Sequence, residues 1–303
     1  MTSASPRPSR SAAAFGGAAP VVVADAAELR AWRDALPPEE RLGLVPTMGA
    51  LHAGHAALIE RARAECDRVA VSIFVNPAQF DEADDLAAYP RPLAADLERC
   101  AALGVDLVHV PDAADVYPAG FGTWVVPDAV GDVLEGACRP GHFRGVLTVV
   151  LKLLQRFRPH RAYFGEKDAQ QAFLVRRMVR DLELAVEVVE VPTLREDDGL
   201  ALSSRNVRLA PEDRVEALRL SRALAAAAAA FAAGERDPEA LRAAMRAVFA
   251  EPGARARLEY AEVVGVADFL PASASTPLPW RALVAARVGA VRLIDNQALT
   301  EPS

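Results

Sequence analysis

The chain has 303 residues, of which 34 are basic and 41 acidic, giving a net charge of −7 with 52% hydrophobic and 25% charged content. This is the balance of a soluble globular protein with enough length for two domains. It lacks the basic face that nucleic-acid binding demands, and no apolar run reaches the ~20 residues that span a bilayer.

The N-terminal stretch is rich in Ala, Ser, Pro and Gly without an apolar segment, which predicts a disordered tail over residues 1–20 rather than a secretory signal. From Val21 onward, short apolar runs alternate with helix-period segments. Leu42 to Val45, Val69 to Val75, Leu107 to Val110, Arg161 to Phe164 and Val186 to Val191 read as buried strands. Helical stretches lie between them, at His55–Cys66, Pro92–Leu103, Val146–Phe157 and Asp168–Asp181. This alternation predicts an α/β, doubly wound (Rossmann-like) parallel sheet over residues 21–193. Beyond it, two helices (Glu212 to Ala233 and Pro238 to Phe249) precede strand-like runs at Leu258–Val264, Ala282–Val288 and Val291–Ile294. They predict a smaller α+β domain over residues 194–303, with a ligand site between the two. Cys66, Cys100 and Cys138 form no paired or metal-binding pattern, as expected in a reducing cytoplasm.

The chemistry-bearing residues fall where strands end. Pro46 to His55 reads Pro-Thr-Met-Gly-Ala-Leu-His-Ala-Gly-His, a loop that opens a helix. His52 and His55 share one face of that helix start, where its positive field favours neutral rings that donate to a developing negative charge. Gly54 would let a ligand approach the backbone. Of the 34 basic residues only Lys152 and Lys167 are lysine, and Lys167 follows a strand in Gly165-Glu166-Lys167-Asp168. Gln171 stands one turn further on. Ser203, Ser204 and Arg205, in the joint between the domains, carry groups that wrap phosphate oxygens. Asn76 and Gln79 offer amides to a polar substrate, and acidic residues follow at Asp81, Glu82, Asp84, Asp85 and Asp96. No P-loop, serine-hydrolase elbow or dinucleotide turn is present. These residues point to adenylyl transfer. They leave open an H-x-G-H enzyme with a phosphorylated acceptor, or a nucleotide-binding protein without catalysis.

The blocks Val45–His55, Ser72–Phe80, Phe164–Asp168 with Gln170 and Gln171, and Pro192–Asn206, in this order, resemble the pantoate–β-alanine ligase family within the H-x-G-H nucleotidyl transferases. The resemblance implies condensation of pantoate with β-alanine at the expense of ATP, through a pantoyl adenylate, with release of pyrophosphate and AMP. It implies that His52, His55, Lys167 and Arg205 are catalytic. It places ATP against Met48, Gly165, Lys167, Asp168, Leu194, Ser203, Ser204 and Arg205. Pantoate would lie against Gln79, Gln171, Met48, Val149, Val150 and Phe164. It further implies Mg²⁺ near Asp96, a homodimer, and a second domain that acts as a mobile lid.

Overall fold

The computed structural model describes residues 19–81 and 83–300; Glu82 lies outside this range, and so does the expected tail except for its last two residues. The first body contains β1 (Val21–Val23), α1 (Ala26–Asp34), β2 (Leu42–Thr47), α2 (Ala53–Glu65), β3 (Arg68–Ile73), α3 (Ala83–Ala88) and α4 (Leu93–Ala102). It continues through β4 (Leu107–His109), α5 (Ala113–Val116), α6 (Glu135–Cys138), α7 (His142–Phe157), β5 (Arg161–Gly165), α8 (Ala169–Asp181) and β6 (Glu187–Val191). Its six strands are all parallel, in the order β1-β4-β3-β2-β5-β6.

Successive strand residues serve opposite faces. Leu44, Ala70, Leu107, Ala162 and Phe164 pack into one apolar layer with Leu29 of α1, Phe157 of α7 and Leu174 of α8. Val45, Val69, Val71, Val108 and Tyr163 pack into the other with Ile59 and Ala62 of α2 and Cys100 of α4. Burial on both faces explains why β2, β3 and β4 read as apolar runs, whereas β6, expected as a buried strand, lies at the sheet edge and is only partly buried. From β2 the chain moves through α2 to β3 on one side, while β5 lies on the other side of β2. The carboxyl ends of β2 and β5 therefore flank a switch point, where open α/β sheets leave a crevice.

The second sheet is antiparallel, with β7 (Arg257–Gly265), β8 (Trp280–Val288) and β9 (Val291–Leu299) in sequence order. One face carries Ala282, Val284 and Ala286 against α9 (Pro211–Ala232) and α10 (Pro238–Phe249). The small side chains of α9, Ala217, Ala223 and Ala227, bring that helix close to the sheet. The opposite face joins the first body: Val264 and Leu283 belong to its core, and Phe269 packs on Phe173 with ring centres 5.2 Å apart. Polar bonds also cross the junction. Arg292 donates to both oxygens of buried Glu135 at 2.7 and 2.6 Å, and the Tyr260 hydroxyl donates to the same carboxylate at 2.8 Å.

Some boundaries differ from expectation for local reasons. The sheet gains the short edge strand β1, and α1 follows it, capped by Asp25. β2 runs on to Thr47 because Pro46 and Thr47 pair with Ser72 and Ile73. α7 begins at His142, since Gly141 supplies a left-handed cap at φ 80°.

Gly145 ties this frame to the loop after β3. A Cβ there would lie 2.1 Å from the Ala78 carbonyl oxygen, and the Gly145 carbonyl accepts from Asn76 Nδ2 at 3.2 Å. Gly145→Ala is expected to lower stability by about 1–3 kcal/mol through overpacking against backbone. Urea denaturation monitored by circular dichroism checks this; an unchanged midpoint would refute the close-packing account.

Candidate active site

Each edge of the crevice is supplied by a segment that leaves the carboxyl end of a strand. After β2, Gly49 and Ala50 take left-handed conformations at φ 81° and 51°. Such a backbone is strained for alanine. It is held by Asp96 of α4, whose carboxylate accepts from the amides of Ala50 at 2.8 Å and Leu51 at 2.7 Å. The loop then delivers two histidines that cap α2 for each other. The Gly54 amide donates to Nδ1 of His52 at 3.1 Å, and the His52 amide donates to Nδ1 of His55 at 3.2 Å. Their ring centres lie 4.1 Å apart.

This reciprocal cap assigns the tautomers. A ring nitrogen that accepts cannot carry the proton, so each neutral ring holds it on Nε2 as a donor. Removal of the His55 ring from solvent, with His52, Lys167 and Arg99 nearby, pushes its pKa down to about 3. Burial and the charge of Lys167 lower that of His52 as well. The expected neutral donors are therefore supported by geometry, with one change. The His52 and Gly54 amides serve the rings, so they are not free for a ligand. Gly54 is needed for the cap itself, since a Cβ would stand 2.8 Å from Cε1 of His52.

After β3, a chain of hydrogen bonds fixes the Gln79 amide. The Tyr117 hydroxyl donates to Oδ1 of Asn76 at 2.8 Å, and Asn76 Nδ2 donates to Oε1 of Gln79 at 3.0 Å. That leaves Gln79 Nε2, 3.1 Å from Met48 Sδ, as the group turned to the cavity. The Gln79 carbonyl receives His142 Nδ1 at 2.8 Å and an Arg139 guanidinium nitrogen at 3.1 Å. His142 thus has the opposite tautomer to the capping pair, with Nε2 bare when neutral.

After β5, the single turn Glu166–Asp168 presents Lys167 to the cavity beside Gly165, Asp168 and Gln171. The other lysine, Lys152, sits over the Phe121 ring at 4.7 Å. Phe164, Val149 and Val150 form an apolar wall, and Leu194, Ser203, Ser204 and Arg205 close the cavity from the joint after β6. Arg205 is held by Asp85 at 3.0 Å, and Asp85 also takes Arg208 at 3.4 Å. Burial opposes charge on Asp85, yet the two guanidinium groups hold its carboxyl below the usual range. Burial pushes the pKa of the Tyr89 hydroxyl up, and Ser204 beside it acts in the opposite direction. A second cavity opens alongside and shares Arg139, His142, Lys167, Gln171 and Arg205 with the first.

Every residue expected at the site lines this cavity except Asp96. Asp96 is 3% exposed, and both its oxygens are bonded to the loop that carries the histidines. Among the described residues, no three His, Cys, Asp or Glu side chains come together as a metal site. The arrangement does not fit Asp96 as a carboxylate offered to Mg²⁺, and its observed role is to brace the loop. Tyr89, Tyr117, Arg139 and His142 also support the site, beyond the residues that sequence pattern points to. Arg139 and His142 stand in the Arg-Pro-Gly-His segment, whose basic groups were the available signal.

Comparison with known proteins points the same way. The family model described as pantoate-beta-alanine ligase matches residues 21–298. A pantothenate synthetase of Chloroflexus aggregans is 55% identical over 279 residues, covering 92% of this chain and 99% of the relative. The crystal structure of pantothenate synthetase from Thermus thermophilus superposes with a TM-score of 0.86 at 47% identity, covering 93% of this chain and 100% of that one. The pantoate-beta-alanine ligase of Francisella tularensis, described as complexed with beta-gamma ATP and beta-alanine, gives 0.76 at 36% identity, over 94% of this chain and 100% of that one.

All five histidines are held below their ordinary pKa of 6.5, each chiefly by burial. Below pH 6.5 the unfolded chain therefore binds more protons than the folded one, and stability falls as pH falls. Each ring contributes at most about 1.4 kcal/mol per pH unit, less where solvent reaches it. Denaturation midpoints should be level above pH 7 and drop from pH 6.5 to 5. The slope should be shallower in His55→Gln, and an equal slope in that variant would contradict the assignment of a neutral His55.

Proposed function

The chain belongs to the pantoate–β-alanine ligase family, and on that premise we propose that it forms pantothenate in two steps at this cavity, by way of an enzyme-bound pantoyl adenylate. A carboxylate does not react with an amine at neutral pH, so it must first be activated. In the proposed first step a pantoate carboxylate oxygen attacks the α-phosphorus of ATP, and the bond to the bridging oxygen of pyrophosphate breaks. Negative charge grows on the phosphate oxygens as it does so. The Nε2–H groups of His52 and His55 and the Lys167 ammonium would meet that charge already oriented, without reorganisation during the reaction.

The carrying observation is the reciprocal histidine cap, which supports two neutral Nε2 donors on the same side as the lysine in a sequence almost without lysine. Gln79 and Gln171 would hold the polar groups of pantoate, with Met48, Val149, Val150 and Phe164 against its methyl groups. Gly165, Asp168 and Leu194 would contact the nucleotide. Arg205, with Ser203 and Ser204, would exchange Asp85 for phosphate oxygens when the nucleotide enters.

In the second step the nitrogen of β-alanine attacks the acyl carbon, the C–O bond to AMP breaks, and the amide is formed. The presence of both ATP and β-alanine in the complex described for the Francisella tularensis relative supports this substrate pair. Closure by the joint and second domain would keep water from the adenylate. A cytoplasmic setting agrees with three free cysteines at 66, 100 and 138.

Isotope exchange between ATP and pyrophosphate, with no amine present, tests the first step directly. Exchange is expected only when pantoate is added, and Lys167→Gln should slow it by about 10²–10³-fold. Exchange with a phosphorylated acceptor instead of pantoate would transfer the chain to another adenylyl-transfer reaction. ATP binding without exchange would sink the catalytic reading.

A further inference from the structure

The turn that presents Lys167 has little bracing of its own. Gly165 offers it no side-chain cap, and Asp168 makes no capping bond to the start of α8. Its support comes from the second sheet. Asn296, on β9 and 4% exposed, donates through Nδ2 to the Glu166 carbonyl at 2.9 Å and to the Lys167 carbonyl at 2.8 Å. A primary amide has two N–H donors, and here they serve two successive carbonyls of one turn. Its oxygen accepts from Arg281, which also donates to the Glu166 carboxylate at 2.7 Å. Both N–H donors of the amide are thus spent on the turn, and its oxygen is anchored by Arg281.

We infer that Asn296 is a positioning residue for the first step, setting the Lys167 ammonium against the phosphates by holding the backbone on which it stands. The inference rests on the reading of Lys167 as a phosphate-binding cation. It gives the second sheet a part in catalysis beyond covering the site. β9 cannot move away from the first body without carrying the lysine turn with it or breaking both bonds. Alanine at 296 would leave two carbonyls unpaired and let the turn shift, and displacements of about 1 Å can cost a hundredfold in rate. Aspartate would keep the acceptor for Arg281 but lose both donors, so it should be no better.

The test uses the full chain. Asn296→Ala and Asn296→Asp are expected to slow pantoate-dependent ATP–pyrophosphate exchange roughly ten- to hundredfold. They should also weaken binding of a non-hydrolysable ATP analogue, measured by calorimetry. In a Lys167→Ala background the same substitutions should change that affinity by less than about twofold, because an effect routed through the lysine is lost with it. The two lysines allow a direct readout: ¹³Cε-lysine labelling gives one resonance each for Lys152 and Lys167, and only the second should move in the variants.

Wild-type exchange and affinity in the Asn296 variants would overturn the inference. So would an equal cost with and without the Lys167 side chain, or equal shifts of both lysine resonances, which mark a general loosening of the fold. Absence of pantoate-dependent exchange in the unaltered chain would count against the proposed reaction instead. Wild-type analogue affinity in Lys167→Ala alone would count against the role given to the lysine.

Discussion

At the start of α2, two imidazoles and two backbone amides satisfy one another. Each ring uses its Nδ1 as an acceptor, so each is left with a single proton on the far nitrogen. The local fold and the state of the reactive groups are consequently one fact. A protonated His52 or His55 would lose its place in the cap, and an uncapped helix would no longer aim the rings. Asp96 extends this constraint backward, holding Ala50 in a left-handed conformation that alanine does not favour unaided. The cost of that strain and of burying a carboxylate is offset by two charge-assisted bonds. What results is a rigid pair of donors on a loop that would otherwise be mobile.

The sheet decides what else can reach those donors. With β2 and β5 adjacent and their connections diverging, the histidine loop and the lysine turn face each other across the switch point. β3 and β6 bring the Gln79 segment and the joint to the remaining sides. Polar groups from four strand ends thereby converge at the edge of the hydrophobic layers, one of which lends the cavity its apolar wall of Phe164, Val149 and Val150. Polar chemistry is confined to the carboxyl edge, and the two apolar layers on either face of the sheet supply the rigidity behind it.

Much of this was legible in the chain itself, for reasons that also explain what was not. Strands buried on both faces write themselves as apolar runs, and Val69 to Val71 or Leu42 to Val45 could hardly be anything else. Motifs at their ends were readable because Pro, Gly and His interrupt those runs abruptly. β1 was not, since three residues carry no period. Local reading also missed contacts made across the fold. Nothing near Asp85 announces Arg205, nothing near Glu135 announces Arg292, and Asp96 looks like any acid in a first helical turn. Gly54 was legible as a point of close approach for a ligand, whereas the neighbour that requires it, the His52 ring, emerges only from the folded loop. The lysine bias was a compositional clue of another kind, and it separated two residues that proved to have unlike surroundings, Lys152 over an aromatic ring and Lys167 at the cavity.

The antiparallel ladder between β8 and β9 places Asn296 opposite Leu283 and Asp295 opposite Val284. Neighbouring residues of a strand face opposite ways, and these two have different duties: Asp295 grips Arg195 of the joint at 2.6 Å, while Asn296 grips the lysine turn. Registry is therefore part of the site. A one-residue insertion in the tight turn at Gly289 and Ala290 that slipped β9 along β8 would exchange the two faces, setting a carboxylate against the carbonyls of residues 166 and 167. The length of this hairpin is thus a condition of the lysine's placement in its own right, separate from the identity of any one residue on it.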